Sequence, residues 1–141
     1  GEIAPNWSIL ASYAYIDARI TKTASNSEKD FDMQRPSTPR HSGNIWTKYI
    51  ITEGPLKHLG LGAGYNFVTE RFGQVGRRAN TTVYPGYGLV NAVLYYKINQ
   101  IQLQLNLNNV LNKTHWVGGY DKLRSFPGAP RNINVTVSYK F

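Results

Sequence analysis

The sequence lacks cysteine: none of its 141 residues is a Cys. This absence excludes disulfides, thiolate metal sites and cysteine nucleophiles. Long apolar runs are also missing, because no stretch approaches the ~20 residues that a membrane-spanning helix requires. That result counts only against helices, since the strands of a membrane barrel distribute their apolar residues in alternation.

Acidic residues are scarce beside basic ones, with 8 Asp and Glu against 16 Lys and Arg and a net charge of +8. Such a balance raises nucleic acid as a partner. The basic residues are dispersed, however, and Arg77-Arg78 is their one adjacent pair. We therefore predict no nucleic-acid partner. Residues 1–6 carry no signal peptide, so an exported protein would need a cleaved precursor or the chain is a piece of something longer.

What the sequence has is alternation, most clearly in residues 131–141. Apolar Ile133, Val135, Val137, Tyr139 and Phe141 are separated by polar residues. A period of two predicts a β-strand with one apolar and one polar face. A terminal aromatic on such a strand is typical of a transmembrane β-barrel, whose outer face meets lipid while its inner face meets water or a plug.

The same reading predicts six antiparallel strands, at about residues 7–20, 43–52, 59–67, 87–97, 101–107 and 131–141. In the third, Gly60, Gly62 and Gly64 share the inner face. These glycines predict either close approach of a neighbouring group or a bend or bulge in a curved sheet. In the fifth, a row of Gln and Asn would be costly against a packed core but not against a watery lumen.

Aromatic residues near the strand ends suggest the interfacial girdles of a barrel. They are Trp7, Tyr49, Tyr84, Tyr87 and Tyr139. The alternative is that these side chains pack inside a soluble β-sandwich.

The connections alternate in length, with short turns at 53–58 and 98–100 and long polar loops at 21–42, 70–86 and 109–130. Outer-membrane barrels have short periplasmic turns and long extracellular loops. Counting back from Phe141 predicts a periplasmic C-terminus and three extracellular loops. Six strands are too few to close, because about eight are needed. The chain therefore belongs to a larger barrel or assembles with copies of itself.

Several segments, taken in order, resemble the late barrel of TonB-dependent receptors for ferric siderophores. They are residues 1–7 and 11–18, Pro39-Arg40-His41, residues 60–64, Tyr84-Pro85-Gly86-Tyr87, residues 107–113 and residues 128–131. Asn91 departs slightly, since the family often has Asp there, but it keeps a polar side chain in place.

The resemblance implies an all-β fold: an antiparallel transmembrane β-barrel of about 22 strands, of which residues 1–141 form the last six as one C-terminal segment. The plug domain, the segment that contacts TonB and the earlier strands are absent. The implied function is import of a ferric siderophore across the cell outer membrane. The implied partners are the siderophore, the TonB complex, the barrel-assembly machinery, lipopolysaccharide and outer-membrane lipid. The resemblance also makes Ile133, Val135, Val137, Tyr139 and Phe141 a barrel-assembly signal.

Two alternatives stay open at this point. One is a passive porin-like or self-assembling outer-membrane barrel, and the other is a soluble β-sandwich interaction domain.

The candidate ligand-binding residues lie in two long loops: Arg71, Phe72, Arg77, Arg78, Trp116, Tyr120 and Arg124. Many ferric siderophores are anionic or rich in oxygen acceptors, which suits arginine donors and aromatic faces. The alternative is an ordinary solvated loop or contact with lipopolysaccharide phosphates.

Neither a metal site nor catalysis is predicted. His41, His58 and His115 are far apart and show no metal-ligand spacing. Iron is therefore expected only as a siderophore chelate, without a further cofactor. His115, Asp121 and Ser125 share a loop but lack the spacing of a catalytic triad, so no catalytic residues and no enzyme are expected.

Overall fold

The computed structural model describes residues 1–22, 32–75, 81–120 and 123–141. These residues form eleven strands. In chain order they are β1 (Glu2–Ala4), β2 (Trp7–Tyr15), β3 (His41–Ile50), β4 (Leu59–Val68), β5 (Arg71–Phe72), β6 (Val83–Tyr84), β7 (Tyr87–Ile98), β8 (Ile101–Asn108), β9 (Trp116–Gly119), β10 (Ser125–Pro127) and β11 (Asn132–Tyr139). No helix among the described residues is long and apolar enough to cross a membrane.

Seven strands form one antiparallel sheet in the order β1-β2-β3-β4-β7-β8-β11, while β5 pairs with β6 and β9 with β10. The six long strands correspond to the six that the sequence predicts. The first is shorter than expected, since it ends at Tyr15 instead of near Ile20. The short strands β1, β5, β6, β9 and β10 were not predicted, because runs of two to four residues carry too little alternation to be read.

One face of the sheet is an apolar belt. Strand pairing places one residue from each long strand in a single row across it: Trp7, Tyr49, Leu61, Leu94, Leu105 and Val135. All six are exposed. The alternation therefore produces a continuous apolar face on which none of the described residues packs, as the outer wall of a membrane barrel requires.

The opposite face is polar and rich in small residues. Its matching row reads Ser8, Lys48, Gly62, Val93, Asn106 and Asn134. Amides bond to one another here, with Asn91 Nδ2 donating to Asn66 Oδ1 at 2.8 Å and Gln104 Nε2 to Asn106 Oδ1 at 2.8 Å. The polar row predicted for the fifth strand thus lies on the face that would line a lumen.

The inner-face glycines make room for large neighbours. A Cβ at Gly64 would collide with the indole of Trp46, and one at Gly62 would lie 2.7 Å from Val93 Cγ1. Pairing of β4 is continuous on both sides, without a bulge. Of the two readings of these glycines, close approach is confirmed.

The connections divide by length as predicted. Short turns join β1 to β2, β3 to β4 and β7 to β8 at one end of the sheet, which we call the turn end. Asn6, His58 and Asn99 adopt positive φ in these turns, at 64°, 73° and 52°. Three long loops leave the other end: loop A (16–40), loop B (69–86) and loop C (109–131).

Aromatic residues gather on the apolar face at the turn end, where Trp7 and Tyr49 pair directly and Tyr139 lies opposite Ile101. The girdle interpretation was wrong for Tyr84 and Tyr87. Tyr84 is 3% exposed inside the loop cluster, and Tyr87 lies on the inner face opposite Val68. Neither ring therefore lies on the apolar face.

Candidate functional site

Loop B is fixed by its own hairpin. Arg71 pairs with Tyr84 and Phe72 with Val83. The hairpin is extended by the Gly73 amide, which donates to the Thr82 carbonyl at 2.8 Å. The ladder orients the Arg71 side chain toward loop C.

Loop C is anchored by Asn109, which is 3% exposed. Its Nδ2 donates to the carbonyls of Lys113 and Ala129, at 2.9 and 3.2 Å, and its Oδ1 accepts from the Lys113 amide at 2.8 Å. The Asn109 amide in turn donates to Asn91 Oδ1 on the sheet at 2.9 Å. Asparagine tolerates the φ of 50° found here. The Asn109 side chain therefore joins the two ends of the loop, and its backbone amide ties them to the sheet.

Arg71 joins loop B to loop C. It is 3% exposed, and its Nη2 donates to the Trp116 carbonyl. Its guanidinium lies 5.3 Å from the centre of the Tyr87 ring, whose other neighbour is the His115 ring at 4.5 Å. His115 is itself 7% exposed and packs on Gly128, where a Cβ would collide with it. Stacking and a charge-assisted bond thus hold the two loops together.

Two further bonds tie the three loops into one unit. Tyr84 Oη lies 3.0 Å from Ser125 Oγ, which links loop B to loop C. The Ser37 amide donates to the Phe72 carbonyl at 2.7 Å, which links loop A to loop B. The Tyr84 ring also packs on Gly119, where a side chain would not fit.

Loop A carries an exposed charge cluster. Arg19 bonds both carboxylate oxygens of Asp17, at 3.0 and 3.1 Å, and both of Asp32, at 3.1 Å. Hydrogen bonds to Asp17 and then Asp32 raise the pKa of Arg19 above its ordinary value. The cluster joins the two described segments of loop A, residues 16–22 and 32–40.

An exposed group on loop C contrasts with these buried links. Tyr120 is 67% exposed and meets Phe126 edge-to-face at 5.4 Å. The Arg124 guanidinium lies 5.8 Å from the Tyr120 ring centre. Trp116, exposed on the same hairpin, pairs with Pro127 beside Phe126. We call Trp116, Tyr120, Arg124 and Phe126 the aromatic platform. It offers ring faces and a cation to a ligand without disturbing the buried links.

Comparison with known proteins identifies the family. The family described as "TonB dependent receptor-like, beta-barrel" matches residues 1–110. The chain belongs to the TonB-dependent receptor β-barrel family. Barrels of this family lie in the outer membrane.

Individual receptors are similar along all or nearly all of the chain. A probable TonB-dependent siderophore receptor of Acinetobacter baumannii, PiuA, is 31% identical over 100% of this chain and 19% of its own length. The crystal structure of PiuA superimposes with a TM-score of 0.77, covering 100% of this chain and 20% of that one. The ferrioxamine B receptor of Salmonella typhimurium is 32% identical over 94% of this chain and 19% of its own. The chain spans about a fifth of the length of these receptors.

The structure brings two of the predicted ligand residues into contact, since the Arg124 guanidinium lies over the Tyr120 ring, and it places Trp116 on the same hairpin. It places Arg71 among the buried links between loops, where it positions loop C. Phe72 is half-buried in β5. Arg77 and Arg78 lie outside the described residues. Ligand contact by any of the seven stays a prediction.

Sequence reasoning missed Phe126, Asn109 and His115 as parts of this site. Phe126 stands alone among polar and proline residues, so no period marks it. Asn109 and Asn112 did carry a signal in the sequence, because asparagine is favoured in turns that need a positive φ. Both residues adopt a φ of 50° at the base of loop C.

Metal binding and catalysis have no further support. Within residues 1–22, 32–75, 81–120 and 123–141, no three His, Cys, Asp or Glu side chains group to hold a metal ion. The Ser125 hydroxyl, considered above as part of a triad, lies within hydrogen-bond distance of the Tyr84 hydroxyl. The similar proteins are named as receptors and not as enzymes. That the protein is no enzyme and needs no cofactor stays a prediction.

Proposed function

We propose that this chain is the C-terminal barrel segment of an outer-membrane receptor that imports a ferric siderophore. Residues 1–141 supply the last strands of a barrel of about 22 strands. The turn end and the C-terminus face the periplasm, and loops A, B and C face outside. The earlier strands, the plug and the TonB-binding segment belong to the rest of the receptor.

The aromatic platform is the observation that carries this proposal. Its rings and the Arg124 cation are exposed at the end of the sheet opposite the short turns. The hairpin that presents them is fixed to the barrel wall through Asn109 and to loop B through Arg71. A rigid aromatic surface with a cation suits a bulky anionic chelate, because little side-chain order is lost on binding.

The remaining partners follow from the proposed architecture. A ligand-loaded receptor engages the TonB complex, which displaces the plug and opens the path. The alternating strand β11 and Phe141 present the assembly signal of Ile133, Val135, Val137, Tyr139 and Phe141 to the barrel-assembly machinery by strand pairing. Lipid contacts the apolar belt, and lipopolysaccharide meets its rim on the loop side.

The test is ligand binding by the full-length receptor with Tyr120→Ala. Loss of a ring–ligand contact is expected to weaken the Kd for the cognate ferric siderophore by roughly tenfold, about 1.4 kcal/mol. Tyr15→Ala is the matched control, since Tyr15 is also an exposed tyrosine at the loop side but belongs to β2. Equal affinities for both variants and the wild type would contradict the platform as the ligand site.

A further inference from the structure

The strands of the main sheet are almost free of charge. Apart from Glu2 in short β1, their charged residues are Lys48 in β3 and Lys97 in β7. Lys48 lies opposite Gly62 and Lys97 opposite Gln102, so both belong to the inner face. Two lysines on the inner face of otherwise uncharged strands are candidate functional groups, because lumen-facing residues of a barrel meet whatever the lumen holds.

Both lysines line one pocket at the turn end of the lumen, far from the aromatic platform. The pocket measures about 150 Å³, and its lining comprises Lys48, Ile50, His58, Gly60, Tyr95, Lys97 and Gln102. Gly60 lets Tyr95 approach the sheet closely here, since a Cβ at position 60 would lie 3.3 Å from Tyr95 Cβ. We call this pocket the basic pocket.

Contacts inside the basic pocket position the Lys48 side chain and the Lys97 backbone. Lys48 Nζ lies 4.7 Å from the centre of the Tyr95 ring. The Lys97 amide donates to the His58 carbonyl at 3.4 Å, which fixes the end of β7 against the β3–β4 turn. Among the described residues, no carboxylate forms an ion pair with either lysine. Glu2 is separated from Lys48 by the intervening Ser8.

We propose that the basic pocket receives an acidic side chain of the plug of the same receptor. The pocket is large enough to admit a carboxylate-bearing side chain. Two cations with donor Gln102 beside them suit a carboxylate. The contact would hold the closed plug against the periplasmic side of the wall. This inference rests on the proposed function, because it requires a plugged barrel.

The direct test is zero-length carbodiimide coupling of the full-length receptor, followed by peptide mass spectrometry. Carbodiimide joins an amine to a carboxylate only where the two are in contact. The expected product links Lys48 or Lys97 to an Asp or Glu N-terminal to this chain. Coupling of both lysines only to Glu2 or Glu53, or to no residue, would overturn the proposal.

A functional test uses the double variant K48Q/K97Q in planar bilayers. We expect channel conductance, which reports plug release, to begin at a lower urea concentration than in wild type, while the ligand Kd stays unchanged. Lys57→Gln, an exposed lysine of the same turn end, is the control. A double variant that matches this control would overturn the proposal.

Two further outcomes distinguish failure of the plug contact from failure of the proposed function. Protection of Lys48 and Lys97 from acetylation only when the ferric siderophore is present would overturn the plug contact in favour of the ligand. Absence of siderophore binding by wild type would refute the proposed function, yet the coupling test would still report on the plug contact.

Discussion

Replacing Arg71 tests whether loops B and C form one unit. Arg71→Ala removes the bond to the Trp116 carbonyl, a charge-assisted bond of about 1.5–3 kcal/mol, and the stacking on Tyr87, about 1–2 kcal/mol. Since such terms are not additive, we expect the loop unit to lose about 3 kcal/mol of local stability, or roughly 100-fold in its opening equilibrium.

Hydrogen exchange measures this loss directly. The Ser37 and Gly128 amides report on it, since they donate to the Phe72 and His115 carbonyls at 2.7 and 2.8 Å. Both are expected to exchange roughly 100-fold faster in Arg71→Ala, while amides of β4 stay protected. Arg71→Lys should fall between, because an ammonium keeps the charge but lacks the planar fork.

Arg131→Ala is the matched control, since Arg131 is an exposed arginine at the base of loop C. It should leave the exchange of both amides unchanged. Wild-type exchange in Arg71→Ala would refute the linkage, and lost ligand affinity with unchanged exchange would instead make Arg71 a ligand contact.

Three other substitutions probe the loop base and the two faces of the wall. Asn109→Ala removes three side-chain hydrogen bonds and should lower the local stability of loop C by about 3 kcal/mol. Limited proteolysis should then cut loop C faster, and wild-type resistance to the protease would contradict the role of Asn109 as an anchor. Gly64→Ala places a methyl group against Trp46 and should lower the free energy of barrel unfolding by about 1–3 kcal/mol. Gly60→Ala should lower it less, and equal losses for the two variants would contradict the close packing of Trp46 on Gly64. Val135→Lys on the apolar face should lower the free energy of barrel unfolding by about 2–4 kcal/mol, whereas inward-facing Thr136→Lys should be tolerated. The reverse order would contradict the assignment of the two faces to lipid and lumen.

The strands could be predicted because their signal is local. Alternation between lipid and lumen imprints a period of two on each long strand, as in Ile133 to Tyr139, and the loop lengths then fix which ends lie together. Tyr84 shows the limit of this reasoning. Its position near a strand end suggested a girdle, but contacts with Ser125 and Gly119, far away in sequence, bury it in the loops.

The candidate site could be predicted only in part for the same reason. Trp116, Tyr120 and Arg124 share a short hairpin, so their place on one loop follows from sequence spacing. The inward direction of Arg71 depends on the Trp116 carbonyl and the Tyr87 ring, which belong to other segments. Composition showed an arginine in a loop and could not show which way it points.

Uptake of iron-55 chelates by cells tests the central claim most directly. Cells that carry the full-length gene are compared with cells that lack it, each with and without a functional TonB, across catecholate, hydroxamate and carboxylate siderophores. The account predicts saturable uptake of at least one chelate that requires both the gene and TonB. Uptake that ignores TonB, or no difference for any chelate, would contradict a siderophore receptor, and the former would favour a passive pore.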